Sequence, residues 1–375
     1  MMMEPKITIT SEESNVLNFT LSDTHFSLAN SLRRIVLSEI PTLVFRAFPH
    51  SESKIDIISN TTRLNNEIIK QRIGCIPIHI TDVDFPYKEY VVEVDKKNDS
   101  DVIELLTTED FKVKNIETDK YLSPTAVKEL FPPNQITGDY IPITRLRPKL
   151  SENIDGEHIQ FTSPFDIGTA KEDGMYNVVS ACAYGNTVDA VKANDVWNDK
   201  QKELVKSNTE QEEIDFQKAN WFLLEAKRIT IPNSFDFIVE SVGVFSNFNI
   251  IYKACDIMIQ KCNKLIKDLT DESDTKDIII EKNTNSTVEN EFIITLKNED
   301  YTLGGALNYF LYERFYEGNE SLSFVGFRVP HPHIPNGVIR MAFNKDEDIA
   351  RVSQNLIQAA EDIISTFTNI QNKFK

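Results

Sequence analysis

Residues 23–41 read DTHFSLANSLRRIVLSEIP, and residues 299–311 read EDYTLGGALNYFL. In the first stretch Ser27 offers a hydroxyl for a helix N-cap, and Leu28, Leu32, Ile35 and Val36 follow at i, i+4, i+7 and i+8. That spacing builds one apolar stripe on a helix, which Pro41 brings to an end. In the second stretch Thr302 stands where Ser27 stands, and Leu303, Leu307, Phe310 and Leu311 take the same steps. Small residues in the first turns, Ala29, Ser31, Gly304, Gly305 and Ala306, allow a neighbouring backbone to come close. Glycine inside a helix costs about 1 kcal/mol, so a packing reason is expected at those positions.

The surroundings of the two stretches repeat as well, and self-similarity of this kind governs the reading of a fold. Residues 5–20 alternate apolar and polar side chains across a polar turn, the pattern of a hairpin. Strand signals return at 229–245, ITIPNSFDFIVESVGVF, before a long helix from about Asn247. Its stripe is Ile250, Ile251, Ala254, Ile257, Met258, Cys262, Leu265, Ile266 and Leu269. In the second half, strands are expected at 291–296, 323–329 and 337–343. A long helix follows, striped by Ile349, Val352, Leu356, Ile357, Ala360, Ile363, Ile364, Phe367 and Ile370.

Each long helix thus carries nine apolar side chains, worth about 1.5–3 kcal/mol apiece when fully buried. Left bare, such stripes are aggregation-prone patches. With two copies in one chain, the economical arrangement is for them to cover each other as an intramolecular pseudo-twofold dimer. The expected fold is α+β, with residues 1–83 and 226–270 forming a first, discontinuous dimerisation domain. Residues 287–375 form the second, and the polar stretch 271–286 is the linker between them. Short alternating strands, Pro-rich turns and charged loops over 84–225 read as an inserted, mostly β domain. Within it, 195–217 reads as a solvated helix or mobile loop. The expected dimer interface comprises Leu28, Leu32, Ile35, Ile250, Ile257 and Leu265 from the first copy. From the second it takes Leu303, Leu307, Phe310, Ile349, Ile357 and Ile364.

The 375-residue chain has a formal net charge of −18 and a pI near 4.9. Affinity for nucleic acid comes mostly from neutralising phosphates, so no strong direct nucleic-acid binding is expected and partners should be proteins. Arg33, Arg34 and Arg46, or Arg145, Arg147 and Lys149, read as scattered surface cations. Cys75, Cys182, Cys255 and Cys262 contain no CxxC pair and read as reduced core residues. The opening MMMEPKITIT has no apolar targeting core, and no run of about eighteen apolar residues occurs. A soluble intracellular protein without membrane contact is the expectation. His331 and His333 flank Pro332 and could offer two ligands to a metal. Pro330, Pro332 and Pro335 instead read as a rigid turn, and no Asp, Glu or Cys at ligand spacing completes a site. No phosphate loop, nucleophile elbow or paired-carboxylate motif is present, so no catalytic residues, metal or cofactor are assigned.

The run Asp23 to Pro41, with Asn30-Ser31-Leu32-Arg33-Arg34 at its centre, resembles the signature helix of the bacterial RNA polymerase alpha subunit and of its archaeal D and eukaryotic third-largest-subunit relatives. Thr61 to Ile80, Lys171 to Tyr184 and Phe237 to Ile259 resemble later segments of the same family, in the same order. Glu299 to Leu311 and Phe324 to Arg340 resemble the small archaeal L subunit and its eukaryotic counterpart. The fused arrangement is similar to the joined subunits of large cytoplasmic DNA viruses. The resemblance implies a non-catalytic platform on which the two largest polymerase subunits assemble, with small zinc-bearing subunits nearby. It places Asn30, Arg33 and Arg34 at the large-subunit interface, and a cytoplasmic transcription site or a virion as the location. Cysteine clusters that many D-type members use for zinc or iron-sulfur are missing, so that cofactor does not carry over. A dimerisation scaffold for some complex outside transcription is the alternative reading.

Overall fold

In the computed structural model, residues 4–82, 84–149, 151, 155–271, 276–284 and 287–375 are described. Along the chain the strands are β1 (Lys6–Glu13), β2 (Val16–Ser22), β3 (Thr42–Val44), β4 (Asp56–Asn60), β5 (Tyr90–Lys97), β6 (Glu104–Thr107), β7 (Lys112–Asn115), β8 (Lys120–Tyr121) and β9 (Pro142–Leu146). They continue as β10 (His158–Pro164), β11 (Asp166–Gly168), β12 (Val179–Val188), β13 (Thr230–Ser241), β14 (Ile278–Lys282), β15 (Glu291–Lys297), β16 (Leu322–Arg328) and β17 (Asn336–Phe343). The helices are α1 (Phe26–Ser38), α2 (Asn66–Gly74), α3 (Pro124–Leu130), α4 (Ala190–Lys206), α5 (Gln211–Leu223), α6 (Asn247–Thr270), α7 (Tyr301–Leu311) and α8 (Ile349–Gln371). The chain forms two compact units. One comprises Met1–Val36, Ala181–Glu240 and Asn247–Lys375, the other Leu37–Ser180 with Ser241–Ser246.

The first unit holds two four-stranded antiparallel sheets, ordered β1-β2-β13-β12 and β14-β15-β17-β16. Ser14 and Asn15, with φ of 51° and 66°, join β1 to β2 through a two-residue turn whose backbone twist suits a hairpin. Period-2 alternation buries Leu17, Phe19 and Leu21 on β2, and Phe292, Ile294 and Leu296 on β15. These sets coincide when the second copy is laid on the first at an offset of 275 residues, Thr302 on Ser27. The same offset places β15 on β2 end for end and the start of α7 on the start of α1. It also pairs Asp23 with Asn298, whose φ values are 56° and 57°, so even the left-handed residue of the turn recurs. Asp and Asn are among the residues that tolerate that conformation best.

Strand β13 pairs with β2 so that Phe237 faces Phe19, and β17 pairs with β15 so that Ile339 faces Ile294. Helices α6 and α8 then pack against one another as extensively as any two elements of the chain. Phe248 near the start of α6 meets Phe374 just past the end of α8, with ring centroids 5.6 Å apart. Gln371 Nε2 donates to the Tyr252 carbonyl at 3.4 Å nearby. The helices are therefore antiparallel. Ile250, Ala254, Met258 and Cys262 on α6 and Val352, Leu356, Ile363 and Phe367 on α8 are wholly excluded from solvent. Phe374 also caps the first sheet, lying edge-on to Phe19 at 5.3 Å, while Phe19 stacks on Phe237 at 4.9 Å.

The second unit carries a five-stranded sheet, β4-β10-β5-β7-β8, and the small pairs β11-β3 and β6-β9. Its core gathers Phe45, Phe111, Phe131, Phe161 and Phe165 together with Ile69 and Ile73 of α2. Leu43, Ile76 and Ile78 belong to the same core. The insertion boundaries expected at 84 and 225 thus fall elsewhere: segment 42–80 lends its apolar residues to this core, whereas 181–240 folds into the first unit. The charged stretch 195–217 is mostly helix, in α4 and α5, with Ala193, Trp197 and Ile214 turned inward. Part of the expected linker, 272–275 and 285–286, lies outside the described residues. Its middle is not linker, because Ile278–Lys282 forms edge strand β14 on β15. Cys182, Cys255 and Cys262 are buried free thiols, but Cys75 is exposed.

The two glycines of α7 part company. A Cβ on Gly304 would lie 2.1 Å from the Phe327 ring, which also covers Gly337, whereas a Cβ on Gly305 would meet nothing within 4 Å. Gly304→Ala should therefore lower stability by about 1–3 kcal/mol through overpacking. Gly305→Ala should raise it by about 0.5–1 kcal/mol through helix propensity. Thermal or urea unfolding of the two variants checks the opposite signs.

Candidate subunit-docking face

Helix α1 starts at Phe26, two residues earlier than a Ser27 cap implied, because the capping groups precede the hydroxyl residues by two. The Nδ1 atom of His25 accepts from the Ser27 N–H at 3.3 Å, and Oδ1 of Asp300 accepts from the Thr302 N–H at 2.8 Å. Both cap positions coincide at the 275-residue offset. Ser27 and Thr302 are one step inside, where their hydroxyls serve other bonds: Ser27 Oγ lies 3.0 Å from His25 Nδ1, and Thr302 Oγ1 accepts from Arg34 Nε at 2.9 Å.

Helices α1 and α7 cross antiparallel, and polar and aromatic contacts fix the crossing. Arg34 Nη2 donates to Asp300 Oδ2 at 2.5 Å. Ser31 Oγ lies 2.6 Å from the Thr302 carbonyl and 2.8 Å from the Ser27 carbonyl, so its single proton is shared between the two helices. At the far end the His25 ring stacks on Tyr309, with centroids 3.9 Å apart and planes 10° apart. Burial works against the Asp300 carboxylate, yet its bonds to Thr302 and the nearby Arg34 charge hold it below its ordinary pKa. Burial, helped by Glu313, pushes Tyr309 up to about 12.

This geometry divides the residues expected to meet large subunits. Arg34 reaches the second copy, where the anionic cap Asp300 lies within its reach, and its side chain stays 34% exposed. Arg33 is held along α1 by Asn30 Oδ1, at 3.1 and 2.9 Å, and both keep partial exposure. Its charge opposes the burial that pushes Cys182 up to about 12. With Phe26, which is 58% exposed, Asn30 and Arg33 form an outward stripe at i, i+4 and i+7. The equivalent positions on α7 are Tyr301, Gly305 and Asn308, and they too keep exposure.

Among the residues expected at the dimer interface, Leu28, Leu32, Ile35, Ile250, Leu265, Leu303, Leu307 and Phe310 are buried. Ile257, Ile357 and Ile364 are half-buried. Ile349 is a correction: as the first residue of α8 it is 50% exposed, and the apolar face starts at Val352. Arg46 and Arg147, grouped by sequence with the scattered cations, are engaged by Asp166 and by Glu157 respectively. His331 and His333 rings lie 5.0 Å apart, and the His333 N–H donates to His331 Nδ1. Among the described residues, no group of three or more His, Cys, Asp or Glu side chains could hold a metal ion. Among the same residues, no helix is long and apolar enough to cross a membrane.

Two matched strand-turn-helix copies, each ending in a long helix packed against its counterpart, define a protein built of paired dimerisation modules. Comparison with known proteins places it further: the RNA polymerase Rpb3/Rpb11 dimerisation domain matches residues 18–262 and again residues 291–373. The chain belongs to that family, as an alpha-like subunit with both dimerisation domains on one polypeptide. It is 28% identical over 298 residues to the DNA-directed RNA polymerases I and III subunit rpac1 of Dictyostelium discoideum, covering 69% of this chain and 80% of that one. It is 26% identical over 301 residues to the DNA-directed RNA polymerase II subunit RPB3 of Schizosaccharomyces pombe, covering 73% and 90%. Identity to the DNA-directed RNA polymerase subunit Rpo3 of Methanosphaera stadtmanae is 23% over 280 residues, covering 68% and 94%.

Sequence reasoning missed His25, Asp300 and Tyr309. Laying the copies on each other at the 275-residue offset sets His25 on Asp300 and Arg34 on Tyr309, and that pairing is the signal that could have found them. His25 gives a pH test. Burial holds its pKa down to about 4 from an ordinary 6.5, so between those values the unfolded chain binds a proton that the folded chain refuses. Stability should rise with pH through that window and be lost on acidification. His25→Asn keeps an acceptor for the Ser27 N–H without the titration. Urea midpoints should fall less steeply for H25N than for the unmodified chain as pH drops from 6.5 towards 4.

Proposed function

We propose that this chain is the non-catalytic assembly platform of a multisubunit DNA-directed RNA polymerase, on which the two largest subunits dock for transcription. The observation that carries this reading is the repeated outward stripe, Phe26, Asn30 and Arg33 on α1 and Tyr301, Gly305 and Asn308 on α7. A pseudo-twofold pair offers two positions of like geometry, as two large partners sharing one platform require. The stripes are alike in place and unlike in chemistry, one cationic and the other neutral and tyrosine-bearing, so each can select a different partner.

Arg33 is the residue we assign to large-subunit contact on the first copy, where a guanidinium suits bidentate pairing with a carboxylate. Asn30 assists by holding it, while Arg34 contributes by fixing the pair of helices. The twelve apolar positions, Ile349 excepted, act as the intramolecular dimer interface. Small zinc-bearing polymerase subunits are the further partners, and the net charge of −18 argues against direct affinity for DNA. A cytoplasmic transcription site, or a virion, remains part of the proposal.

Purification of a tagged chain at near-native expression, with identification of bound proteins, is the direct experiment. Recovery of the two largest polymerase subunits supports the platform; their absence, or recovery of another assembly, removes it. Arg33→Glu should cut recovery of one large subunit by about tenfold, as loss of a desolvated charge pair can, and leave the melting temperature within a few degrees. Equal recovery with R33E would show that this guanidinium merely faces solvent.

A further inference from the structure

The two ends of the α1–α7 crossing are symmetry mates, yet they carry different chemistry. At the 275-residue offset His25 corresponds to Asp300 and Arg34 corresponds to Tyr309. One end is therefore Arg34 on Asp300, at 2.5 Å, and its mate is Tyr309 on His25, at 3.9 Å between ring centroids. Each copy supplies one half of each contact, and neither copy holds both halves of either.

We infer that this exchange makes the pairing selective: Arg34, Asp300, His25 and Tyr309 admit the first copy on the second and reject like on like between chains. Two first copies meeting in the same geometry would set Arg34 against His25 at both ends. Each guanidinium, whose side chain is 34% exposed in the present contact, would lose its carboxylate and face a half-buried ring. Two second copies would set Asp300 against Tyr309 at both ends. Each carboxylate would lose its cation, and the Ser31 hydroxyl that reaches the Thr302 carbonyl would be replaced by Ala306. Leaving a partly buried charge without its partner costs more than the pair itself contributes. Specificity here comes from what the wrong pairs lack. A second copy of this chain is the competitor being excluded, and the inference depends only on the crossing, not on any larger assembly.

The test uses the full chain and three variants. Arg34→Tyr gives the first copy both halves of the stack seen at the mate, so two first copies can pair. Asp300→His does the same for the second copy. Each single change also removes the intramolecular ion pair: R34Y sets a neutral phenol against Asp300, and D300H sets an imidazole against Arg34. Joined, R34Y and D300H give a stack at both ends of every pairing, and the tether then favours the intramolecular one. Light scattering across a concentration series should find the unmodified chain monomeric. Each single variant should show a dimer population raised about tenfold or more, and the double variant should be monomeric again. Insoluble single variants with a soluble monomeric double variant count the same way, because rescue is the signature of complementarity. Single variants that stay monomeric at every concentration overturn the inference. So does a double variant at least as dimeric, or as insoluble, as either single one.

Discussion

The structure depends on the mutual burial of two long helices. Each of α6 and α8 buries an apolar stripe against the other, and the antiparallel contact satisfies both at once. Everything else in that unit is arranged around the requirement. The two sheets are near copies because each must deliver a helix to the same place at the same angle. The shorter helices α1 and α7 cross because the long ones have brought their modules face to face. Apolar burial supplies the free energy without direction; the polar contacts at the crossing supply register.

Much of this was legible in the sequence, for a physical reason. A stripe at helical spacing and an alternation at strand spacing are imposed by backbone geometry, so α6, α8 and the strands of the second copy lay close to where their patterns placed them. The repeat was visible because both copies solve one packing problem. What was not legible depends on three-dimensional neighbours. A hydroxyl near a helix start is a good cap in general, yet His25 and Asp300 took the role, and the freed hydroxyls of Ser27 and Thr302 turned to other partners.

The candidate docking face was only partly readable. Arg33 and Arg34 are adjacent and chemically identical, and nothing in periodicity says that one lies along its own helix while the other reaches Asp300. One residue is a turn of about 100° on a helix, enough to send two like charges to different tasks. The boundary near 80 failed for a related reason: the apolar residues of 42–80 fit either core, and only the aromatic cluster around Phe45 decides which. Residues 278–280, three isoleucines between polar runs, were too short to outweigh their flanks and still became an edge strand, because a neighbour with unpaired backbone groups was waiting for them.

Phe374 lies on Phe19 and Phe248, more than three hundred residues after the strand it covers. During synthesis β2 is made first, its partner β13 about two hundred residues later, and the ring that covers Phe19 more than a hundred residues after that. Until Phe374 is made, the Phe19 side of β2 lacks that aromatic cover. Fusing the copies removes the search for a second polypeptide and replaces it with a wait.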